Sequence, residues 1–356
     1  MSTFAFGTYR ITDENPLHIE ALKEAIESGV RLIDTAGHYT NGGAERAIAK
    51  VMAYFEDSLR NEIKIVSKYT PSSDVTLHEQ LTQSLQRLEL HSIDCYLVDT
   101  PKESPYEEFV SLEKEVKEGR IGSYGISFDG SDYNDLLLLA QKAAKELGNA
   151  QHSFSTIELP INILQQEGLT CAAWAKRQGL RVLSSCPLNA QKGPLMYRLA
   201  DYEESREYYH YVNELLEFCS TDLLKPLKNL IEQMDSNRHK FGWIGEYDVF
   251  VSTQILPHIK MSLEKLNSEH LDDLLYFIER FLQEYRTMVA YECSSRIRSE
   301  LKSEFQECKV TIQECALQFL YEQKSIDYIL VGMKKPSYVQ EVMALKEKLN
   351  NNFMAC

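Results

Sequence analysis

The feature of this sequence that most constrains its fold is a repeated alternation of short apolar segments with longer amphipathic ones. This alternation is typical of parallel β-strands that are joined by helices. The segments with the length and composition of buried strands are 4–9, 31–35, 63–68, 93–98, 122–127, 154–159, 181–186 and 327–331. Eight such strands with helices between them predict an α/β protein that closes as a (β/α)8 TIM barrel.

The competing α/β architecture is an open, doubly wound nucleotide-binding sheet. It would require a Gly-x-Gly-x-x-Gly run immediately after a strand. Gly119, Gly122 and Gly125 lie close together but have a different spacing. The closed barrel is therefore favoured.

The alternation stops between Pro187 and Val310, where polar, helix-like sequence such as 272–282 replaces it. We predict an enlarged, mainly helical insertion, residues 190–308, between strands seven and eight of a single barrel domain that spans 1–356. A loop that follows a barrel strand emerges at the C-terminal face, where barrel enzymes have their active sites. The insertion is expected there as a lid, a substrate-specificity wall, a docking surface for a protein partner or a passive packed element.

Charge and composition exclude several classes of partner. The formal net charge of -15 argues against nucleic acid, because phosphate backbones are bound by clustered Lys and Arg. The sequence has neither a signal-peptide pattern at its start nor an apolar run of about 18 residues, so we expect a soluble, cytoplasmic protein that does not bind membranes. The eight cysteines have no metal-ligand spacing. We therefore predict no metal site and reduced cysteines.

Four polar residues are expected to meet at one end of the barrel. Asp34, Lys68 and Asp99 stand at the ends of strands two, three and four, and Tyr39 lies in the loop after strand two. A free tyrosine has a pKa of about 10 and is a slow proton donor at neutral pH. A Lys68 ammonium would stabilise the phenolate, and Asp34 would hold that lysine charged and oriented. Each residue also has an ordinary structural explanation. Asp34 could cap a helix, Tyr39 could be a packed aromatic side chain, and Lys68 could be a solvated charge.

The flanking sequence resembles the aldo-keto reductases. The run 29–39, Gly-Val-Arg-Leu-Ile-Asp-Thr-Ala-Gly-His-Tyr, is similar to the family's Asp-Thr-Ala…Tyr signature, and Lys68 follows at the family's distance. Further segments resemble family blocks in the family order: 84–88, 93–98, 119–127, 316–320 and 329–336. The resemblance implies a barrel that binds NADP(H), with Tyr39 as general acid, Lys68 as its activator and Asp34 as the partner of the lysine.

Asp99 departs from the family pattern, in which a histidine at this position orients the substrate carbonyl. An ionised aspartate only accepts hydrogen bonds, raises the pKa of a neighbouring tyrosine and repels a developing oxyanion. An aspartic acid that burial keeps protonated would instead donate a hydrogen bond to that oxygen. Both possibilities are open at this point.

The cofactor positions are also mixed. Ser127 matches the family's serine after strand five, whereas Phe128, Thr156 and Ser185 replace its asparagine, glutamine and stacking aromatic. After strand eight, two lysines precede a helix that is predicted to begin near Ser337, a combination suited to a 2′-phosphate. The resemblance assigns cofactor contacts to Gly7, Thr8, Ser127, Thr156, Pro187, Leu188, Gly332, Met333, Lys334, Lys335, Tyr338 and Glu341.

Two functions follow from these residues. The first is an NADPH-dependent oxidoreductase of aldo-keto reductase type, which acts on an aldehyde or ketone, or on a sugar or alcohol. The alternative is a catalytically impaired barrel that senses the cofactor or binds a protein partner through 190–308. Asp34, Tyr39 and Lys68 favour the enzyme, and the four departures from the family pattern favour the alternative.

Overall fold

Parallel strands form a closed barrel in the computed structural model, which describes residues 2–71, 74–101, 104–263, 271–301, 305 and 308–354. The strands are β1 Thr3–Gly7, β2 Leu32–Asp34, β3 Lys64–Tyr69, β4 Cys95–Asp99, β5 Tyr124–Ser127, β6 Phe154–Pro160, β7 Arg181–Ser185, β8 Asn189–Lys192, β9 Leu195–Arg198 and β10 Tyr328–Val331. The barrel order is β1-β10-β7-β6-β5-β4-β3-β2, and β2 pairs with β1. The predicted (β/α)8 barrel is confirmed, with each predicted barrel strand present.

The helices of the described residues follow the amphipathic segments of the sequence. They are α1 Pro16–Glu27, α2 Gly43–Met52, α3 Asp57–Arg60, α4 Leu77–Leu88, α5 Tyr106–Lys117, α6 Leu136–Glu146, α7 Gly168–Arg177, α8 Tyr208–Phe218, α9 Lys225–Asn237, α10 Ile244–Phe250, α11 Leu256–Leu263, α12 Leu271–Glu300, α13 Ile312–Tyr321 and α14 Pro336–Met354. A bilayer-spanning helix is not found among them.

Local chemistry explains where these helices begin and which face they bury. In α4, Thr76 and Glu79 form a reciprocal capping box, which satisfies free N–H groups at the start of the helix. Leu77, Leu81 and Leu88 of the same helix are buried. Inside the barrel, a compact cluster of mainly aliphatic strand residues fills the space: Ala5, Leu32, Val66, Cys95, Leu97, Leu183 and Leu330.

The chain divides into two compact units, one formed by Met1–Pro187 with Ala316–Cys356 and the other by Leu188–Cys315. We call the first the barrel unit and the second the insertion unit. The insertion unit contains the whole predicted segment 190–308. It begins with an antiparallel hairpin, β8 and β9, which the sequence reading missed because its strands lack an apolar alternation. The sequence signal for this hairpin was a glycine, Gly193. In the structure it takes a φ of 60°, which suits a tight turn.

The described remainder of the insertion unit is mainly helical and has its own aromatic core. Tyr247 stacks on Tyr285 with ring centroids 5.4 Å apart, and Phe281 contacts Tyr285 at 5.5 Å. The buried Tyr285 hydroxyl donates to the carbonyl of Met234 at 2.6 Å. This unit therefore buries large rings with their polar atoms satisfied.

One cysteine prediction was wrong. Cys308 and Cys315 form a disulfide, with their Cα atoms 6.1 Å apart. Cys315 lies in the first turn of α13, and Cys308 in the loop before it, so the chain reverses within bridging distance. Their separation of seven residues resembles neither a redox motif nor a metal-ligand pair, and it went unrecognised for that reason.

Candidate active site

The ends of β2 and β3 bring two predicted residues into direct contact. The Lys68 ammonium donates a hydrogen bond to the Asp34 carboxylate, and both side chains are buried. Thr8 holds this end of β2, because its hydroxyl donates to the Asp34 carbonyl at 2.9 Å. Burial alone would lower the pKa of Lys68, but the charges of Asp34 and Glu158 outweigh it and raise the pKa well above its ordinary value. Lys68 is therefore a permanent cation.

A third ionisable residue, Glu158 on β6, completes this group. Its carboxylate lies 3.2 Å from the Lys68 nitrogen, and the Ser127 hydroxyl donates to it at 3.1 Å. Burial raises the pKa of Asp34 to about 8, because Lys68 offsets the burial only in part and Glu158 raises the pKa further. We call Asp34, Lys68 and Glu158 the buried ion cluster.

Tyr39 lies beside this cluster. The Lys68 nitrogen is 5.4 Å from the centre of its ring, and the exposed Tyr9 meets it edge-on with ring centroids 5.2 Å apart. Burial is the largest influence on Tyr39 and raises its pKa. Lys68 lowers the pKa, whereas the carboxylates of Asp34, Glu158 and Asp99 raise it. The lysine thus acts in the predicted direction, but the surrounding carboxylates oppose it.

The loop after Tyr39 has an uncommon backbone. Thr40, Asn41 and Gly42 are consecutive residues with φ values of 48°, 53° and 79°. Such conformations cost free energy for non-glycine residues and persist where the surroundings impose them. Arg87 packs against the loop so closely that a side-chain carbon at Gly42 would lie 2.5 Å from it.

A buried carboxylate ties this loop to the strand that carries Lys68. Glu45 accepts hydrogen bonds from Arg87 at 2.6 Å and from the Ser67 hydroxyl at 2.9 Å. Ser67 directly precedes Lys68 in β3. Glu45 therefore links Arg87, which packs against the loop after Tyr39, to Ser67, which precedes Lys68.

Asp99 ends β4 and is only partly buried. Its carboxylate accepts a hydrogen bond from the Thr100 hydroxyl at 3.1 Å, and its charge acts on both Tyr39 and His38. The neutral-donor hypothesis depends on burial beside Asp34, and it stays a hypothesis for a residue of intermediate exposure. His38 keeps part of its surface in solvent, and the partial desolvation of its ring lowers its pKa.

The predicted cofactor residues fall into two groups in the barrel unit, apart from Leu188, which is buried in the insertion unit. Gly7, Thr8, Ser127, Thr156 and Pro187 lie on or directly after β1, β5, β6 and β7. The second group follows β10 or lies in α14: Gly332, Met333, Lys334, Lys335, Tyr338 and Glu341.

On β6, the residue in register with Ser127 is Glu158, not Thr156. Thr156 is fully buried two residues earlier in the strand and hydrogen-bonds Ser155. Sequence reasoning missed Glu158. Its signal was a single charged residue inside an otherwise uncharged strand, 154–160, where a charge is seldom buried without a partner.

In the second group of predicted cofactor residues, which follows β10, Lys334 and Lys335 directly precede α14, and this helix begins at Pro336. Met333 is buried, whereas Lys335 is exposed with its ammonium 5.9 Å from the Tyr338 ring. Burial lowers the pKa of His18, and the charge of Lys334 lowers it further. Glu341 is exposed on α14.

Residues 3–226, well over half of the chain, match the profile of the Aldo/keto reductase family. The chain belongs to the aldo/keto reductase family. Among curated proteins, this family member is 28% identical over 199 residues to the methylglyoxal reductase YeaE of Escherichia coli (strain K12), which covers 55% of the chain and 66% of that protein. It is 31% identical over 207 residues to the methylglyoxal reductase DkgB of E. coli O157:H7, with 55% and 72% covered. The chain thus spans about two thirds of these relatives' length.

Solved aldo-keto reductase structures share the fold over almost the whole chain. The aldo/keto reductase of Klebsiella pneumoniae in complex with NADP and acetate is 17% identical and has a TM-score of 0.51, with 96% of this chain and 85% of that chain covered. The holo form of AKR11C1 from Bacillus halodurans is 16% identical and has a TM-score of 0.52, with 97% and 86% covered. These likenesses agree with the closed barrel of this aldo-keto reductase.

Proposed function

We propose that this protein is an NADPH-dependent oxidoreductase that reduces a small aldehyde or ketone, with Tyr39 as the general acid. The observation that carries the proposal is the contact of the buried Asp34–Lys68 ion pair with the ring of Tyr39. Burying charges costs several kcal/mol per ion before pairing, so a pair held beside a tyrosine has a functional rather than a stabilising rationale. The charge of Lys68 acts to make the tyrosine more acidic, as a proton donor at a carbonyl oxygen requires.

The barrel offers suitable groups for a nicotinamide dinucleotide. Lys334 and Lys335 precede the N-terminus of α14, and helix N-termini with nearby cations suit a phosphate group. Ser127 is in register with Asp99 at the end of β5, where its hydroxyl would contact the nicotinamide amide. We propose that the remaining predicted cofactor residues of the barrel unit line the path between the nicotinamide end and the phosphate end of the cofactor.

NADPH, held by Ser127 at its nicotinamide end and by Lys334 and Lys335 at its phosphate end, would supply the hydride that the carbonyl carbon accepts. Tyr39 then donates its proton to the carbonyl oxygen, and an alcohol forms. The tyrosinate that remains is stabilised by the Lys68 ammonium and takes up a proton from solvent. Asp34 keeps Lys68 charged and aimed at the ring throughout this cycle.

Small reactive aldehydes are the first substrates to test. Two relatives are named methylglyoxal reductases, and a Bacillus subtilis relative, 31% identical over 134 residues that span 36% of this chain and 45% of that protein, is named a glyoxal reductase. Methylglyoxal is therefore a suitable probe. Sugars and alcohols, oxidised in the reverse direction, form the second class of probe.

A specific observation favours the second function, a cofactor-binding barrel with impaired turnover. The pKa of Tyr39 is raised rather than lowered, because burial and three carboxylates act against Lys68. Such a protein would bind NADPH but reduce no carbonyl, and 190–308 would be its surface for a protein partner.

A titration with NADPH and separately with NADH, followed by nicotinamide fluorescence, separates the possibilities. Micromolar NADPH binding together with methylglyoxal reduction is expected for the enzyme. NADPH binding without reduction of any carbonyl in a broad screen supports the sensor. Absence of binding by either nucleotide would overturn both cofactor-dependent functions.

A further inference from the structure

The buried ion cluster contains a carboxylate that the proposed reaction does not use. Asp34, Lys68 and Glu158 are only 4%, 2% and 4% exposed. Glu158 lies 3.2 Å from the Lys68 nitrogen, and its other carboxylate oxygen accepts from the Ser127 hydroxyl at 3.1 Å. It therefore contacts both the tyrosine activator and the serine on the predicted cofactor side.

The charges in this cluster do not balance if both carboxylates are ionised. One ammonium faces two carboxylates, and an uncompensated buried charge is costly. Both carboxyl groups contact the same Lys68 nitrogen. Two carboxylates held this close repel each other, and a proton on one of them removes that repulsion.

The other described groups that face the cluster do not supply a compensating positive charge. Tyr39 and His38 face it from the loop after β2, Ser127 from β5 and Cys186 from the loop after β7, and Asp99 of β4 acts on Tyr39. Burial and the charge of Lys68 lower the pKa of His38, so its imidazole is neutral at pH 7, and the other groups are neutral or acidic. The shared proton is thus the available way to neutralise the second carboxylate.

We propose that Glu158 is a positioning residue of the reduction: it is the second carboxylate of Lys68, and it shares one proton with Asp34, which keeps the cluster neutral while Tyr39 donates its proton. The inference rests on the proposed function. When the shared proton is lost, one more negative charge lies beside Tyr39 and disfavours the tyrosinate. Proton donation therefore slows as the pH rises. Since burial and Glu158 raise the pKa of Asp34 to about 8, the loss is expected above neutral pH.

The decisive variant is Glu158→Gln, which has the shape of the protonated residue and retains groups that can bond Lys68 and Asp34. We expect its kcat near pH 6 to stay within about threefold of the wild type, with KM unchanged and without the fall in kcat toward about pH 9. Glu158→Leu removes the bonds as well, and its kcat should fall by about tenfold to a hundredfold at every pH.

A matched control is available in the same unit. Glu113 is a fully buried carboxylate on α5 that accepts from the backbone N–H of Ser153 at 2.7 Å. Glu113→Gln therefore changes a buried carboxyl group outside the cluster. Its kcat should keep the wild-type dependence on pH.

An infrared difference spectrum measures the shared proton without any turnover. The wild-type protein should have a protonated-carboxyl band at about pH 6 that disappears by about pH 10, because deprotonation removes that vibration. The band should be absent in Glu158→Gln and present in Glu113→Gln. If Glu158→Gln does not fold, Asp34→Asn provides the same comparison, because it removes the other carboxyl group.

The outcomes separate the inference from the proposed function. A wild-type protein that reduces no carbonyl contradicts the proposed function, whereas the band still decides whether the proton is shared. A wild-type enzyme whose alkaline fall in kcat persists in Glu158→Gln overturns the inference, as does a missing band in the wild type. Loss of both the fall and the band in Glu158→Gln alone supports it.

Discussion

The barrel unit and the insertion unit differ in whether their charged side chains are buried. Among the described residues, the buried charged side chains all belong to the barrel unit: Asp34, Glu45, Lys68, Glu113, Glu115 and Glu158. The insertion unit buries aromatic rings and aliphatic side chains and leaves its ion pairs partly exposed, as in Arg286 with Asp248. Because buried charge is a poor source of stability, its concentration in one unit indicates where the chemistry lies.

The largest change in kcat is expected for Tyr39→Phe, in the barrel unit. Loss of the general acid should lower kcat by about a thousandfold, since such donors contribute about 10²–10⁴-fold, with NADPH affinity nearly unchanged. Steady-state kinetics with methylglyoxal measures the effect. Tyr285→Phe removes a buried hydroxyl from the insertion unit and should leave kcat within about twofold. Equal losses in both variants would contradict the division of roles.

Substitutions in the core of the insertion unit should lower the stability of the protein and leave its cofactor affinity nearly unchanged. Phe281→Ala removes a ring that is 1% exposed and should lower the free energy of unfolding by about 3–5 kcal/mol. Urea unfolding followed by circular dichroism checks this, and NADPH affinity should stay within about threefold. Tyr276→Ala, on the same helix but 53% exposed, is the control and should cost about 0.5 kcal/mol. A variant Phe281→Ala with unchanged stability would show that this unit lacks a core of its own.

A smaller effect is expected at the second cofactor group. The double variant Lys334→Ala, Lys335→Ala should weaken NADPH binding by about tenfold to a hundredfold, since a hydrogen bond to a charged group contributes about 1.5–3 kcal/mol. NADH affinity should change by less than about twofold, because NADH lacks the 2′-phosphate. Fluorescence titration of both nucleotides measures the difference. Parallel losses for NADPH and NADH would remove these lysines from phosphate recognition.

The smallest effect is expected for Asp99→Asn. The charge of Asp99 raises the pKa of Tyr39, so the substitution should leave kcat unchanged or raise it by about threefold. Kinetics across a range of pH values tests this, with Asp57→Asn, whose side chain is 92% exposed on α3, as the control. A loss of more than about tenfold would mean that the carboxylate itself contacts the substrate.

The barrel could be predicted because its strands are buried on both faces. Such strands appear in the sequence as short apolar runs. Asp34, Tyr39 and Lys68 were found because the resemblance supplied their spacing. Glu158 was missed, since its role depends on the register between β5 and β6, which no local pattern encodes. The disulfide and the β8–β9 hairpin were missed for a similar reason, because each depends on how the chain turns back on itself.

The position of β10 has a consequence for synthesis of the protein. β10 pairs with both β1 and β7, yet the whole insertion unit separates it from β7 along the chain. At about 5–20 residues per second, a ribosome needs on the order of ten seconds to pass from β7 to β10. During that interval β1 and β7 are open, apolar sheet edges, which are prone to pair with other chains. The insertion therefore sets a waiting time before closure, and the nascent barrel has to be protected from aggregation while it lasts.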